Sequence, residues 1–189
     1  PQSIVRAGFG LRSQSAYPSV FYTGHRGPRA LTLPPSCRWT GDHLELLDQR
    51  QLPGAVAFMQ LHRWQDVAEA IASMAVRGAP AIGIAAAWGV VLAARSSDDL
   101  PTAVRSLRES RPTAVNLGWA LNRMEAAMGS DSPVDVEALA VEAAALQSED
   151  RLLTQRLVDH GVSLLAQGCR VLHHCHTGAI ATGGVGTAL

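Results

Sequence analysis

The stretch Met74-Ala75-Val76-Arg77-Gly78-Ala79-Pro80-Ala81-Ile82-Gly83-Ile84-Ala85-Ala86-Ala87 decides how the rest of the chain is read. An apolar-periodic run (Val67, Ile71, Met74) leads into an Arg-Gly-Ala turn, and Pro80 then opens a second, apolar helix. Proline suits the first helical position, where its missing N–H would have no partner in any case. The free N–H groups around Gly78 and Ala79 face whatever precedes the new helix, at its positive dipole end. With Arg77 beside them they make a candidate seat for a phosphate or a carboxylate. A tight helix–helix turn carrying a surface arginine explains the same residues. On local physics alone the two readings weigh the same.

Outward from this stretch the composition sets limits. The chain has 189 residues with zero net charge, and every basic residue is arginine. It is long enough to bury a core of one domain or one and a half. A balanced charge argues against nucleic acid or an anionic membrane as a partner held by bulk electrostatics. The absence of lysine excludes Schiff-base chemistry by this chain. Cys37, Cys169 and Cys175 are odd in number and far apart, without a Cys-x-x-Cys pair, so no disulfide framework or zinc ribbon is expected. A reducing, cytoplasmic setting follows. Ala79 to Ala94 is the nearest approach to a membrane span and is Ala/Gly-rich, as in a tightly packed helix of a globular protein.

Read in order, residues 1–38 form a leader without Asp or Glu, expected to be disordered or unrelated to the rest. Trp39 to Leu47 is expected as a strand, paired as a hairpin with Val56–Leu61 across Leu52-Pro53-Gly54. Helices are expected over Gln65–Val76, Pro80–Arg95, Leu100–Glu109 and Ala114–Met128, the last capped by Thr113 after the boundary at Arg111-Pro112. Val134–Leu165 reads as a long helical stretch with a break near Ser148. Cys169 to His174 reads as a buried strand, followed by a Gly/Thr-rich turn, the way a doubly wound α/β domain begins. The expected fold is therefore α/β: a mostly helical N-terminal domain with a small sheet over residues 39–130, connecting helices over 131–167, and the start of a truncated Rossmann-like domain over 168–189.

Five collinear segments give this pattern a family. They are Arg77-Gly78-Ala79-Pro80-Ala81-Ile82-Gly83, Leu46 to Pro53 (LLDQRQLP), Ser110 to Leu117 (SRPTAVNL), Trp119 to Met124 (WALNRM), and His174-Cys175-His176-Thr177-Gly178-Ala179 running on to Gly183 through Leu189. Together they resemble the methylthioribose-1-phosphate isomerases, whose superfamily includes the regulatory subunits of initiation factor 2B. The resemblance covers about residues 39–189 and corresponds to roughly the N-terminal half of such an isomerase.

That resemblance gives individual residues roles that spacing does not. Cys175 stands at the end of the expected strand before a Gly-rich turn, where a neighbouring helix N-terminus and His173, His174 and His176 would favour a thiolate. By spacing alone a free cysteine is more often a small buried hydrophobe; the resemblance implies the catalytic position, with His176 where the family has Asn. It also implies substrate contacts for Arg77, Gly78, Ala79 and Arg111. An arginine such as Arg111 grips a phosphate or a sugar hydroxyl bidentately, although a solvated helix-start residue is the ordinary reading. Thr177-Gly178 and the Thr182–Thr187 run offer backbone N–H groups to a phosphate but lack the lysine of a nucleotide-binding loop and the Rossmann glycine spacing. No cofactor is expected, and no metal at His173, His174 and His176. Asp48-Gln49-Arg50 reads as structural or oligomeric, and Glu149-Asp150 as a solvated helix face.

The implied activity is the aldose–ketose isomerisation of 5-methylthioribose 1-phosphate in methionine salvage, by a cytoplasmic homodimer. A non-catalytic subunit like those of initiation factor 2B and a ribose 1,5-bisphosphate isomerase are the alternatives. The family's proton-donating Asp lies further along than residue 189, so the 189-residue chain alone is expected to be inactive.

Overall fold

The computed structural model describes residues 35–129, 133–166, 169–172, 174, 178–184 and 186–187, together with the backbone of 20–24 and 27–31. Its architecture is α/β and mostly helical, built round one buried helix. Two strands, β1 (Val20–Gly24) and β2 (Gly27–Leu31), pair as an antiparallel hairpin. Then β3 (Cys37–Trp39), β4 (Leu44–Leu47) and β5 (Phe58–Leu61) form an antiparallel sheet in the order 3-4-5. Five helices follow among the described residues: α1 (Trp64–Ala72), α2 (Ala79–Arg95), α3 (Leu100–Ser110), α4 (Val115–Met128) and α5 (Val136–Val162).

The central element is α2. Every residue from Ala81 to Ala93 is buried, and the helix packs against α1, α3, α4 and α5 as well as β3 and β4. Its composition explains how it can be surrounded. A run of alanines with two glycines keeps the cylinder thin, so neighbouring axes come close without leaving voids. A Cβ on Gly83 would lie 2.9 Å from the Asn116 carbonyl oxygen in the first turn of α4. At Gly89 it would meet the Leu107 methyls of α3 at 3.2 and 3.3 Å. Pro80 occupies the second helical position, one later than expected, where its missing N–H is still harmless.

The sheet lies on one side of this helix through Leu44, Leu46 and Leu61, which alternate inward with Glu45 and Gln60 facing outward. Trp39 stacks on Trp88 of α2, centroids 4.6 Å apart and planes within 5°. Gln147 of α5 closes the corner: its Nε2 donates to the Cys37 carbonyl at 3.2 Å and its Oε1 accepts from Trp88 Nε1 at 3.4 Å. Arg123 of α4 binds Glu142 at 2.6 Å and Glu149, fastening α4 to α5 over the Trp119 ring.

Several expectations need correction. The segment from Trp39 to Leu47 is two strands, not one, because Gly41 at φ +107 reverses the chain between them; the expected pairing with the Val56–Leu61 region is present as β4–β5. The folded unit also begins before residue 39, since Ser36 and Cys37 are buried and Cys37 is in the core. Thr113 does not cap α4. Ala114 is the capping residue, without a side-chain bond, after Arg111 is driven to φ −150 by the proline that follows it. In place of a break near Ser148, α5 is continuous, and Asp135 caps it by accepting from the Glu137 and Ala138 N–H groups.

The largest departure is the expected strand over 169–174. Cys169 to Leu172 and His174 are irregular and exposed, with Leu172 99% accessible. A strand persists only with a hydrogen-bonded neighbour, and among the described residues none pairs with this segment. No helix among the described residues is long and apolar enough to cross a membrane.

Candidate functional site

The site is built where the chain's last described segment folds back onto the start of α2. Gly178 and Gly186 form an antiparallel bridge, and a 3-10 turn, Ala179–Ala181, lies between them. This small loop packs on α2. Its contact with the Arg-Gly-Ala turn is intimate, for a Cβ on Gly78 would stand 2.5 Å from the Cα, Cβ and carbonyl oxygen of Ala181. Gly78 also sits at φ +101, a conformation L side chains resist. Two constraints thus meet at one residue, the backbone turn into α2 and the loop that closes on it.

Gln49 and Ser36 hold the same junction from the other side. Gln49 Nε2 donates to the Arg77 carbonyl at 3.2 Å and to the Ile180 carbonyl at 2.8 Å, joining the two segments through one amide. The Ser36 hydroxyl donates to Ile180 as well. Asp48, buried, accepts from the Arg50 guanidinium at 2.8 and 2.9 Å and from the Arg50 N–H at 3.1 Å, which fixes the bend that presents Gln49. The Arg50 guanidinium beside Asp48 holds its carboxyl below the usual range. The structural reading of Asp48-Gln49-Arg50 is thereby given a partner: it seats Gln49 across the junction. Spacing carried no sign of this, since residues 49, 77 and 180 are remote in sequence.

Asp150 departs from its expected place on a solvated helix face. It is half-buried, and its Oδ2 accepts from the Gly183 N–H at 2.6 Å. Burial raises its pKa, with the Gly183 N–H opposing that shift. Arg151, the next residue, donates to the Gly183 carbonyl at 3.3 Å. The Thr182–Gly184 turn is therefore clasped by both groups of a two-residue stretch of α5. Glu149 faces the other way, toward Arg123.

Of the residues expected in the site, Arg77, Gly78, Ala79 and Arg111 have positions. Arg77 and Ala79 are exposed at the rim, and the Arg77 guanidinium has no partner among the described residues. Gly78 is half-covered by Ala181, so the close approach that demands glycine here is made by the chain's own loop. Arg111 is half-buried at the α3–α4 corner, also without a side-chain partner among the described residues. It lies toward the same end of the helix pair as Gly78, because the first turn of α4 abuts α2 at Gly83, about 7 Å along the axis from Gly78. Cys175, His173, His176 and Thr177 lie outside the described residues. The other cysteines do not compete for a chemical role here: Cys37 is buried in the core, which pushes its thiol up to about 12, and Cys169 is exposed on irregular chain. An open cleft of about 510 Å³ lined by Trp39, Val91, Arg95 and Glu137 is at the opposite end of α2 and shares no residue with this junction.

What this arrangement offers is an exposed arginine and helix-start N–H groups on a turn pinned by glycine, faced by a second Gly-rich loop. Such a combination suits an anion. The methylthioribose-1-phosphate isomerase of Synechococcus sp. (strain CC9605) is 86% identical over 159 residues, covering 84% of this chain and 47% of that protein. The crystal structure of 5-methylthioribose 1-phosphate isomerase from Pyrococcus horikoshii OT3 is similar with a TM-score of 0.74 at 34% identity, covering 82% of this chain and 47% of that one. The translation initiation factor eIF-2B, subunit delta, from A. fulgidus follows with a TM-score of 0.65 at 33% identity, over 79% of this chain and 47% of that one. The chain spans about half the length of the curated relatives it matches. A family model described as the Initiation factor 2 subunit family matches residues 75–188, from the Arg-Gly-Ala turn through the Gly-rich loop; the chain belongs to that family.

Proposed function

We propose that this chain serves the aldose–ketose isomerisation of 5-methylthioribose 1-phosphate to 5-methylthioribulose 1-phosphate, a step of methionine salvage. The observation that carries the proposal is the 86% identity to an isomerase of that name. The exposed Arg77 beside Gly78 and Ala79 at the start of α2 supports a seat for the sugar phosphate, with Arg111 reaching it from the α3–α4 corner. Cys175 takes or delivers the proton at the reacting carbons. In sequence it is three residues from Gly178, a reach of at most about 11 Å of extended chain.

The chemistry needs both a proton acceptor and a donor. The phosphate on the anomeric oxygen prevents simple ring opening, so opening is acid-assisted, and a proton or hydride then moves between C2 and C1. A dry site protects the open-chain intermediate. The Gln49 amide and the Asp150 carboxylate position the loop that faces the phosphate seat, without touching substrate. A Rossmann-like continuation from residue 168 and a cytoplasmic homodimer complete the reading.

The test joins residues 35–189 in frame to the remaining C-terminal part of the Synechococcus relative. The fusion should turn over 5-methylthioribose 1-phosphate, and Cys175→Ala should lower kcat by at least about 10²-fold, the low end of general acid–base assistance. A folded fusion with no turnover, beside an active intact relative, would favour the non-catalytic reading that the similarity to the delta subunit supports. Preference for ribose 1,5-bisphosphate would reassign the substrate within the same chemistry.

A further inference from the structure

At the far end of α2 from Gly78, two imidazoles meet across the sheet. Leu44 faces Leu61 in the β4–β5 register, so His43 and His62, one step outward, are the next cross-strand neighbours. Such pairs bring their Cβ atoms to about 5 Å. The rings lie 4.7 Å apart between centroids, tilted by 33°. Asp42 Oδ1 is 2.8 Å from His43 Nδ1, and the Thr40 hydroxyl donates to the same oxygen at 2.8 Å. A carboxylate only accepts, so Nδ1 carries a proton, and in the neutral ring Nε2 keeps its lone pair.

That lone pair is the anomaly. His43 Nε2 is buried with no hydrogen-bond partner, alone in this among the described side-chain nitrogens and oxygens. A buried acceptor left unpaired is costly, and an electron-pair acceptor would relieve it. One ligand atom from each of Asp42, His43 and His62 lies within 4.8 Å of the other two. The turn that holds them is built firmly: the Thr40 N–H donates to the His43 carbonyl at 3.1 Å, the Thr40 hydroxyl accepts from the His43 N–H at 3.2 Å, and Arg95 of α2 donates to the Gly41 carbonyl.

We propose that His43 and His62 ligate a divalent transition-metal ion of the zinc class at this end of the sheet. Asp42 is a positioning residue that fixes the tautomer of His43 from the Nδ1 side, the arrangement that orients imidazole toward a metal elsewhere. Nitrogen ligands favour zinc, copper or nickel over magnesium or calcium, which take oxygen. His62 is exposed, so water completes the coordination and the ion bridges the ends of β4 and β5 at the surface.

Calorimetric titration of zinc into the metal-free 189-residue chain, with imidazole signals followed by NMR, tests this. Because His173, His174, Cys175 and His176 form a separate run of metal-binding residue types, the site is read by difference. The wild-type chain should take one more equivalent than His62→Ala, whose exposed position leaves folding intact, and His43→Gln should lose the same equivalent. His43 and His62 signals should shift together on zinc and stay still on magnesium. Asp42→Asn should weaken that equivalent about 10–100-fold. Equal zinc stoichiometry in wild type and His62→Ala, or zinc shifts confined to other histidines, would overturn the proposal.

Discussion

At the scale of single residues, the site is decided by two kinds of contact that differ in how visible they are from sequence. Gly78 was legible, because an Arg-Gly-Ala-Pro string announces a turn into a helix and φ +101 is the conformation glycine supplies. What presses on it was not, since Ala181 is more than a hundred residues away and nothing in its local sequence points there. Asp150 shows the same gap. An acidic residue in an Ala/Glu/Leu-rich helix ordinarily faces water, and only the returning Thr182–Gly184 turn buries it. Its folded pKa is raised, so its contribution to stability is greatest below the ordinary 3.8 and is lost as pH rises through the higher native value. Asp150→Asn keeps the acceptor for Gly183 and removes the buried charge. The variant should gain stability over wild type as pH rises from about 4 to 7, read as a widening gap between urea midpoints. A gap that is constant over that range would show that the carboxylate carries no desolvation cost.

At the scale of elements, apolar runs and helix-forming composition pointed to the five helices among the described residues, because each buries a face or, for α2, nearly its whole circumference. Ends and strands were read less well. The split of β3 from β4 depends on a single glycine, and the strand expected over 169–174, irregular at the described residues 169–172 and 174, was expected from residue type alone, whereas a strand exists only with a partner. The crossing of α2 and α4 illustrates why composition can still be decisive. Gly83 costs α2 about 1 kcal/mol of helix propensity relative to alanine, and proximity to the Asn116 carbonyl gives the reason it is tolerated. Gly83→Ala should therefore destabilise the protein by about 1–2 kcal/mol, overpacking outweighing propensity. Chemical denaturation checks it; a stabilised Gly83→Ala would mean that α4 gives way freely.

At the scale of the whole molecule, the fold gathers motifs scattered along the chain round one end of one helix. The Leu46–Pro53 segment supplies Gln49, the Arg77–Gly83 segment the turn, the Ser110–Leu117 segment the α3–α4 corner, and the Gly178–Thr187 segment the loop that closes on it. Trp119 to Met124 works at a distance, its Arg123 locking α4 to α5 so that Asp150 meets Gly183. Five collinear strings could be recognised as belonging together before any contact was known; that they converge is a property of the tertiary structure. The claim on which the functional account rests is that the exposed Arg77 on this pinned turn holds the sugar phosphate. The measurement that tests it most directly is the steady-state kinetics of Arg77→Ala in the active fusion, with 5-methylthioribose 1-phosphate as substrate. A charged hydrogen bond worth about 1.5–3 kcal/mol predicts a fall in kcat/KM of about 10- to 150-fold with the melting temperature unchanged. An unchanged kcat/KM in a folded variant would contradict the account and move the phosphate elsewhere.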